Sequence, residues 1–389
     1  MILPSRPTST CRALLVFGLS RIIVALVAYF AVTFLGHTMA PDTYHLRGID
    51  SPLLDIFGSR WDTGFYVSIV EEGYRFQGVP LSSVAFFPLL PLLMRLLLPL
   101  VGDAVVAGIL VANAALLLAS VYFYRLVAMQ WSERVAERAL WYLLIFPTAF
   151  FGSAIYTESL FLLTAIGALY SARQSRWARA TLFAFGAGLT RLVGIVVAPM
   201  LVLEWLRQRH LQEPGGAQST AAVGPFAAVA AAPLGLLAFM AYLWRAFGDP
   251  LAFAHAAAAW ERTPRAPGAM VAALLQRPAG GWLQALRAGT LPINDWIDLI
   301  AVLFFLAASF LLLYRRRWVE GIFVWLGVML PLSSGLLMSQ RRYMWVLFPV
   351  YILLAQWGRR RWADRTITAV FLSWQTVFII LFANGYWVG

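Results

Sequence analysis

The chain has 389 residues, 61% of them hydrophobic and 12% charged, with a mean hydropathy of +0.74, far from the roughly one-quarter charged content of soluble proteins. This composition excludes a soluble globular protein and leaves room for roughly ten membrane spans of about 20 apolar residues each. The net charge of +12, carried by 30 arginines and no lysine, is then a matter of topology rather than of nucleic-acid binding, and the single cysteine, Cys11, excludes an internal disulfide or a cysteine-based metal site.

The first apolar run, about 13–35, follows Arg6 and Arg12. It is too long for a signal-peptide core and lacks a small-residue cleavage site, so it reads as an uncleaved helix entering from the cytoplasm. Further apolar runs lie at roughly 84–101, 104–127, 138–152, 154–172, 180–206, 222–247, 295–314, 319–338, 343–357 and 365–384. Arginine-rich connections mark the cytoplasmic side: Arg125, Arg134 and Arg138; Arg173, Arg176 and Arg179; Arg207 and Arg209; Arg315, Arg316 and Arg317; Arg359, Arg360, Arg361 and Arg365.

That constraint keeps two runs from crossing. Run 84–101, with three prolines and Arg95 in its middle, is expected to form a broken, interfacial helix on the outer face. Run 180–206 has arginines wanting the cytoplasm at both ends, so a re-entrant hairpin bent near GLTR (188–191) is expected; such a bend is tolerated only inside protein or beside a wet cavity. The outer face then carries connections 37–103 and 248–294 and the terminal 384–389, while 213–219 reads as a short flexible linker. With no internal repeat or soluble segment, the chain reads as a single membrane domain over 1–389.

Candidate chemistry sits in those outer connections. The first holds Asp42, Asp50, Asp55, Asp62, Glu71 and Glu72 against Arg47, Arg60 and Arg75. This is either a solvated acidic surface or, because Trp61-Asp62 precedes an amphipathic Phe65, Tyr66, Ile69, Val70 pattern, a loop pinned at the interface that presents Asp62 as a general base. Glu158, after Thr157, is placed to complement a helix dipole by up to about 1 kcal/mol, or to serve the same site. Arg191 at the bend and Arg341-Arg342-Tyr343 between two runs are cations at membrane depth, suited to a carboxylate such as Glu158, to a phosphate, or to snorkelling toward headgroups. His255, Trp260, Glu261 and Arg262 stand in HAAAAWER of the second outer connection, where aromatics anchor an interface or stack on sugars. No phosphate-binding glycine loop, dinucleotide fingerprint or nucleophile elbow is present.

RWDTGFY (60–66), SSVAFFPLLPLL (82–93), FPTAFFGSAIYTESLFLL (146–163), GLTRLVG (188–194) and RRYMWVLFP (341–349) occur in this order. The series resembles the PIG-V-like family of integral-membrane mannosyltransferases, which have the GT-C fold. The resemblance implies an all-α, polytopic transmembrane bundle that transfers a sugar, usually mannose, from a polyprenyl-phosphate donor to a glycan, glycolipid or protein acceptor on the outer face, with inversion. It places Asp62 and Glu158 at the family's acidic positions, with Asp62 as base and Glu158 positioning acceptor or base. Arg191, Arg341 and Arg342 look like donor-phosphate groups, and Trp61, Tyr66, His255, Trp260 and Tyr343 are expected substrate contacts. Leu192 stands where the family pattern often has proline.

No nucleotide and no obligatory metal are expected, although an acidic outer loop leaves a divalent cation open. The arginine-only, compact chain reads as bacterial, in the plasma membrane, surrounded by membrane lipids and without nucleic acid. A transporter or flippase of lipid-linked sugars, or a noncatalytic membrane subunit, are the alternatives; a transporter would have inverted repeats.

Overall fold

The apolar runs fold into α-helices, some divided into shorter pieces at a proline or a Ser-Gly step, whereas the helix Val223–Phe247 continues through Pro233. The computed structural model describes residues 7–35, 51–76, 82–211, 223–260, 262–263, 265–276 and 281–389. Asp42, Arg47, Asp50, the linker at 213–219 and Glu261 lie outside the described residues.

The helices are α1 (Pro7–Leu35), α2 (Pro52–Gly58), α3 (Thr63–Glu72), α4 (Leu89–Val101), α5 (Ala104–Ala128), α6 (Glu133–Ile145), α7 (Glu158–Arg173), α8 (Trp177–Thr190), α9 (Val197–Leu211) and α10 (Val223–Phe247). They continue with α11 (Ala252–Ala257), α12 (Pro267–Gln276), α13 (Trp282–Ala288), α14 (Ile293–Tyr314), α15 (Trp318–Leu332), α16 (Gln340–Trp345), α17 (Pro349–Trp357) and α18 (Arg361–Ala383). Among the described residues there is no strand.

Five helices, α1 over Thr10–Leu35, α5, α10, α14 and α18, run 22 to 26 residues and are apolar enough to cross a membrane singly. The chain is an integral membrane protein. The other apolar runs are shorter than their sequence extent, for local reasons. α6 stops before Phe146-Pro147 and yields to a single 3-10 turn, Ala149–Ser153. Past α15, Gly335 at φ +81° turns the chain. Run 343–357 divides between α16 and α17, which restarts with Pro349 in its first turn, where a missing N–H costs nothing.

The expected broken helix at 84–101 is instead continuous from Leu89 to Val101. Pro88 and Pro91 fall at its start, where proline is tolerated, and Pro99 in its last turn. Its 13 residues span about 20 Å, less than the hydrocarbon core of about 30 Å. Leu92, Leu96 and Leu100 are exposed along one side. Arg95 is exposed but tied down: its Nε and Nη2 donate to Val70 O at 3.0 Å and Ile69 O at 2.9 Å, capping the last carbonyls of α3.

Residues 177–211 fold back on themselves. Both ends of the segment meet the end of α7: Arg179 Nε donates to Ser171 Oγ at 2.9 Å near its start, and Gln208 Nε2 donates to Ala172 O at 2.8 Å near its end. The turn is made by Arg191 in extended backbone and a 3-10 segment, Leu192–Val196. Glycine is required on both sides of it, since a Cβ on Gly194 would overlap Ala187 O and one on Gly188 would overlap Ala232 O of α10.

The arginine-rich connections gather at one end of the bundle. Arg12 reaches Glu133 and Glu137 at 3.7 and 3.6 Å, Arg138 pairs with Asp364 at 3.2 Å, and Arg173 and Arg317 share Glu320 at 2.8 and 2.6 Å. The starts of α5, α7 and α14 and the ends of α8, α15 and α18 therefore lie at the opposite end, with the candidate site.

Candidate active site

At that opposite end lies a cavity of about 430 Å³, walled by α3, the start of α7, the bend at Arg191, the 252–262 segment and α16. Among the described residues its carboxylates are Asp62 and Glu158, and its cations are Arg191, Arg262 and Arg342.

The RWD sequence divides the labour of placing Asp62. Arg60 is buried and anchors the loop, pairing with Asp55 at 2.9 Å and donating to Phe382 O at 3.0 Å at the end of α18. Asp55 in turn accepts from Ser59 Oγ at 2.6 Å. Trp61 takes φ +59°, a left-handed conformation uncommon for an aromatic residue and of the kind that persists where the surroundings enforce it. Its ring meets Trp387 edge-on at 5.2 Å, clear of the cavity lining, and Asp62, at the start of α3, enters the cavity.

Asp62 Oδ2 accepts from Arg342 Nη1 at 3.0 Å; the carboxylate is 28% exposed and the guanidinium 6%. Arg342 is held on its faces by Phe151, Tyr156, Tyr343 and Trp387, whose ring centroids lie 5.4, 5.1, 5.3 and 5.1 Å from its guanidinium carbon. Its Nε lies 3.5 Å from Glu158 Oε1, an ion pair without hydrogen-bond alignment. Glu158 opens α7 and is buried, and the same Oε1 accepts from Arg191 Nη1 at 3.3 Å. The Glu158 carboxylate thus ties the bend to α16, which goes well beyond complementing the dipole of its own helix.

Tyr343 is the meeting point of the three cations. Its hydroxyl accepts from Arg262 Nη2 at 2.9 Å and from Arg342 Nη2 at 3.5 Å, and Arg191 lies 4.8 Å above its ring. Burial alone would raise the phenol, but Arg262, Arg342 and Arg191 together hold it below its ordinary value. Tyr66 faces the reverse field: burial, then Asp62 and Glu158, push its phenol up. Trp260 also lines the cavity, edge-on to Phe65 and Phe86 at 5.8 and 5.9 Å.

Three expected site residues are placed elsewhere. Arg341 turns away from the cavity: its Nε donates to Val388 O at 2.9 Å, its Nη2 to Asn294 Oδ1 at 3.0 Å, and its backbone N–H to Asp298 Oδ1 at 2.7 Å. Consecutive helical residues point about 100° apart, and in α16 Arg342 and Tyr343 take the cavity side while Arg341 falls on the other. His255 is 63% exposed and bonds Asp249 Oδ2 at 2.7 Å, holding that carboxyl below its usual range. Trp61 is the third, as described.

Arg262, which the sequence names in HAAAAWER without assigning it a role, and Trp387 also line the cavity. The WER tripeptide marked Arg262 as charged on the outer side, whereas nothing in the last six residues singled out Trp387. Among the described residues no group of three or more His, Cys, Asp or Glu is gathered to hold a metal ion.

A family model described as mannosyltransferase (PIG-V) matches residues 48–256, a stretch that carries Asp62, Glu158 and Arg191. A comparison with curated proteins finds no match. Among solved structures, the chain is similar to the Archaeoglobus fulgidus oligosaccharyltransferase in complex with Zn and sulfate, at 13% identity and a TM-score of 0.40, covering 94% of this chain and 53% of that one. The same enzyme tethered to an acceptor peptide with the NVT sequon gives 12%, 0.42, 94% and 55%, and its apo form 13%, 0.40, 95% and 56%. The chain spans about half the length of these structures.

Proposed function

The chain belongs to the mannosyltransferase (PIG-V) family, and from that premise we propose that its cavity transfers mannose from a polyprenyl-phosphate donor to an acceptor hydroxyl, with inversion. The observation that carries this reading is the convergence of Arg191, Arg262 and Arg342 on Tyr343, in a cavity that also presents Asp62.

Among the described residues, three guanidinia face two carboxylates and leave one positive charge, suited to a sugar phosphate. In the transfer, the acceptor oxygen attacks the anomeric carbon, the bond from that carbon to the phosphate oxygen breaks, and the polyprenyl phosphate departs with the electron pair. Asp62 takes the acceptor proton, and a single displacement needs one such base rather than the carboxylate pair of a retaining hydrolase. The three arginines offset the charge growing on the phosphate, the role that a metal would otherwise serve, so transfer is expected to need neither nucleotide nor resident metal. Glu158 holds Arg191 and Arg342 in place, and Tyr66 and Trp260 offer aromatic surface to the sugar.

The arginine-rich end is assigned to the cytoplasm and the cavity to the outer face of a bacterial plasma membrane, in line with the excess of arginine in cytoplasmic connections. The acceptor is then a glycan, glycolipid or protein on that face, and the whole 389-residue chain serves as one catalytic domain.

The experiment uses purified protein, radiolabelled polyprenyl-phosphate mannose and membrane acceptors, with and without a chelator. Transfer by the wild type, and its loss in Asp62→Asn with donor binding retained, is the expected result. Undiminished transfer by that variant removes Asp62 from the role of base, and donor binding without transfer to any acceptor favours a transporter.

A further inference from the structure

At the arginine-rich end lies a second crevice, of about 640 Å³, within the size range of small-molecule sites. It is walled by Arg12 of α1, by Glu133, Arg134 and Arg138 in the first turns of α6, and by Arg359 in the turn between α17 and α18. Four guanidinia thus surround one carboxylate. Arg12 is offset by Glu133 and Glu137, and Arg138 by Asp364. Arg134 and Arg359 are exposed and, among the described residues, make no ion pair. An excess of arginine on this side follows from topology alone, but topology does not require arginines from three separate elements to share one concavity in which, among the described residues, two of the four make no ion pair.

The surface beside the crevice points to the source of the missing anion. On α1, Leu15, Leu19, Ile22 and Leu26 follow Arg12 at helical spacings of three and four, which puts them in one stripe below it, and all four are exposed. Trp357 and Trp362, which bracket Arg359 in sequence, are exposed as well, in the manner of residues at a membrane–water boundary. A cationic crevice therefore opens at the head of an apolar stripe.

We propose that this crevice binds the headgroup of an anionic phospholipid, with Arg134 and Arg359 engaging its phosphate and its acyl chains lying along Leu15, Leu19, Ile22 and Leu26. The site is separate from the sugar cavity and does not depend on the reaction assigned there. Arginine supplies the paired N–H donors that suit a phosphodiester, and each basic residue near an anionic lipid surface contributes about 1 kcal/mol.

The test is native mass spectrometry of the full chain, delipidated in a neutral detergent and titrated with dioleoylphosphatidylglycerol, with dioleoylphosphatidylcholine and with inorganic phosphate. Wild-type protein is expected to retain phosphatidylglycerol preferentially, and the double variant R134A/R359A to bind it about thirtyfold more weakly. Phosphatidylcholine, whose choline cation offsets its phosphate, should bind more weakly than phosphatidylglycerol and lose less in the double variant, and phosphate at equal concentration should not displace the glycerolipid. Should the double variant fail to fold, the single variants R134Q and R359Q give the same reading, each with a loss of about fivefold. Equal phosphatidylglycerol binding by wild type and variants overturns the proposal, as does phosphatidylcholine binding as tight as phosphatidylglycerol. Phosphate that competes as well as the lipid identifies a free-anion site and overturns the lipid assignment.

Discussion

Asp62 and Arg342 stand 280 positions apart in sequence and 3.0 Å apart in space, joined in the lining of the cavity. The contact gives the proposed base a cation as its resting partner. On the proposed reading, a donor phosphate that draws on Arg342 would loosen its hold on Asp62 and so link donor binding to base activation. Phe151, Tyr156, Tyr343 and Trp387 keep the guanidinium centred while it changes partner.

Asp62→Asn keeps the shape and a hydrogen-bond acceptor for Arg342 while removing the basic oxygen. Transfer is expected to fall by about 10²–10⁴-fold, the range set by the loss of a general base. Donor affinity should hold or rise, since Arg342 no longer shares itself with a carboxylate. Single-turnover transfer and equilibrium binding of the donor, measured on the same preparation, separate the two effects.

Glu158→Gln removes the negative charge that faces Arg191 and Arg342 inside the protein. Glu158 is 2% exposed in its side chain, and breaking a buried pair on one side typically costs about 3–5 kcal/mol. A marked fall in the unfolding temperature in detergent is the expected outcome, together with weaker donor binding as the bend loses its tie to α16. An unchanged unfolding temperature would show that the two arginines are content with other partners.

The parts of this arrangement legible in sequence are those that break a pattern. Asp62, Glu158, Arg191 and Arg342 are charged residues set in apolar runs or bends, and all four line the cavity. The fold-back at 177–211 was legible for the same reason, because arginines at both of its ends demanded one side. What could not be read was rotation and long-range docking. Choosing between Arg341 and Arg342 requires the phase of a six-residue helix, and Arg60 as an anchor requires knowing that the end of α18 lies beside it. Trp387 reaches Arg342 from a terminal segment that Arg341 holds through Val388 O and that Trp61 and Phe151 pack against. The prolines of run 84–101 misled because their effect depends on position within the helix, and they fall at its ends.

Tyr343 makes the site sensitive to alkali. An ordinary phenol loses its proton near pH 10, and this one, against Arg262, Arg342 and Arg191, does so at lower pH. A folded-state value below the unfolded one means the stabilising contribution is absent below the folded value, grows as pH rises through it and is complete above about pH 10. Donor affinity should move the opposite way over the same window, because the phenolate competes with the donor phosphate for the three arginines. Tyr343→Phe is expected to abolish that alkaline loss of affinity. Donor binding measured from pH 7 to pH 10 in wild type and variant checks it, and parallel curves would count against the role given to the phenol.

Arg341→Ala is the contrasting substitution. Its guanidinium serves Val388 O and Asn294 rather than the cavity, so it is expected to act on the terminal segment. Losing these bonds frees Trp387 from its place against Arg342 and leaves Asp298, itself buried, without the cation 3.7 Å away. The protein should become less stable by about 3 kcal/mol or more, and transfer should fall through disorder around Arg342 rather than through a lost phosphate contact. Truncating at Tyr386 while retaining Arg341 should then reproduce the catalytic part of the defect, because it removes Trp387 directly. If Arg341→Ala instead weakens donor binding while the truncation leaves it intact, Arg341 reaches the phosphate after all, and α16 turns by about one residue during the reaction cycle.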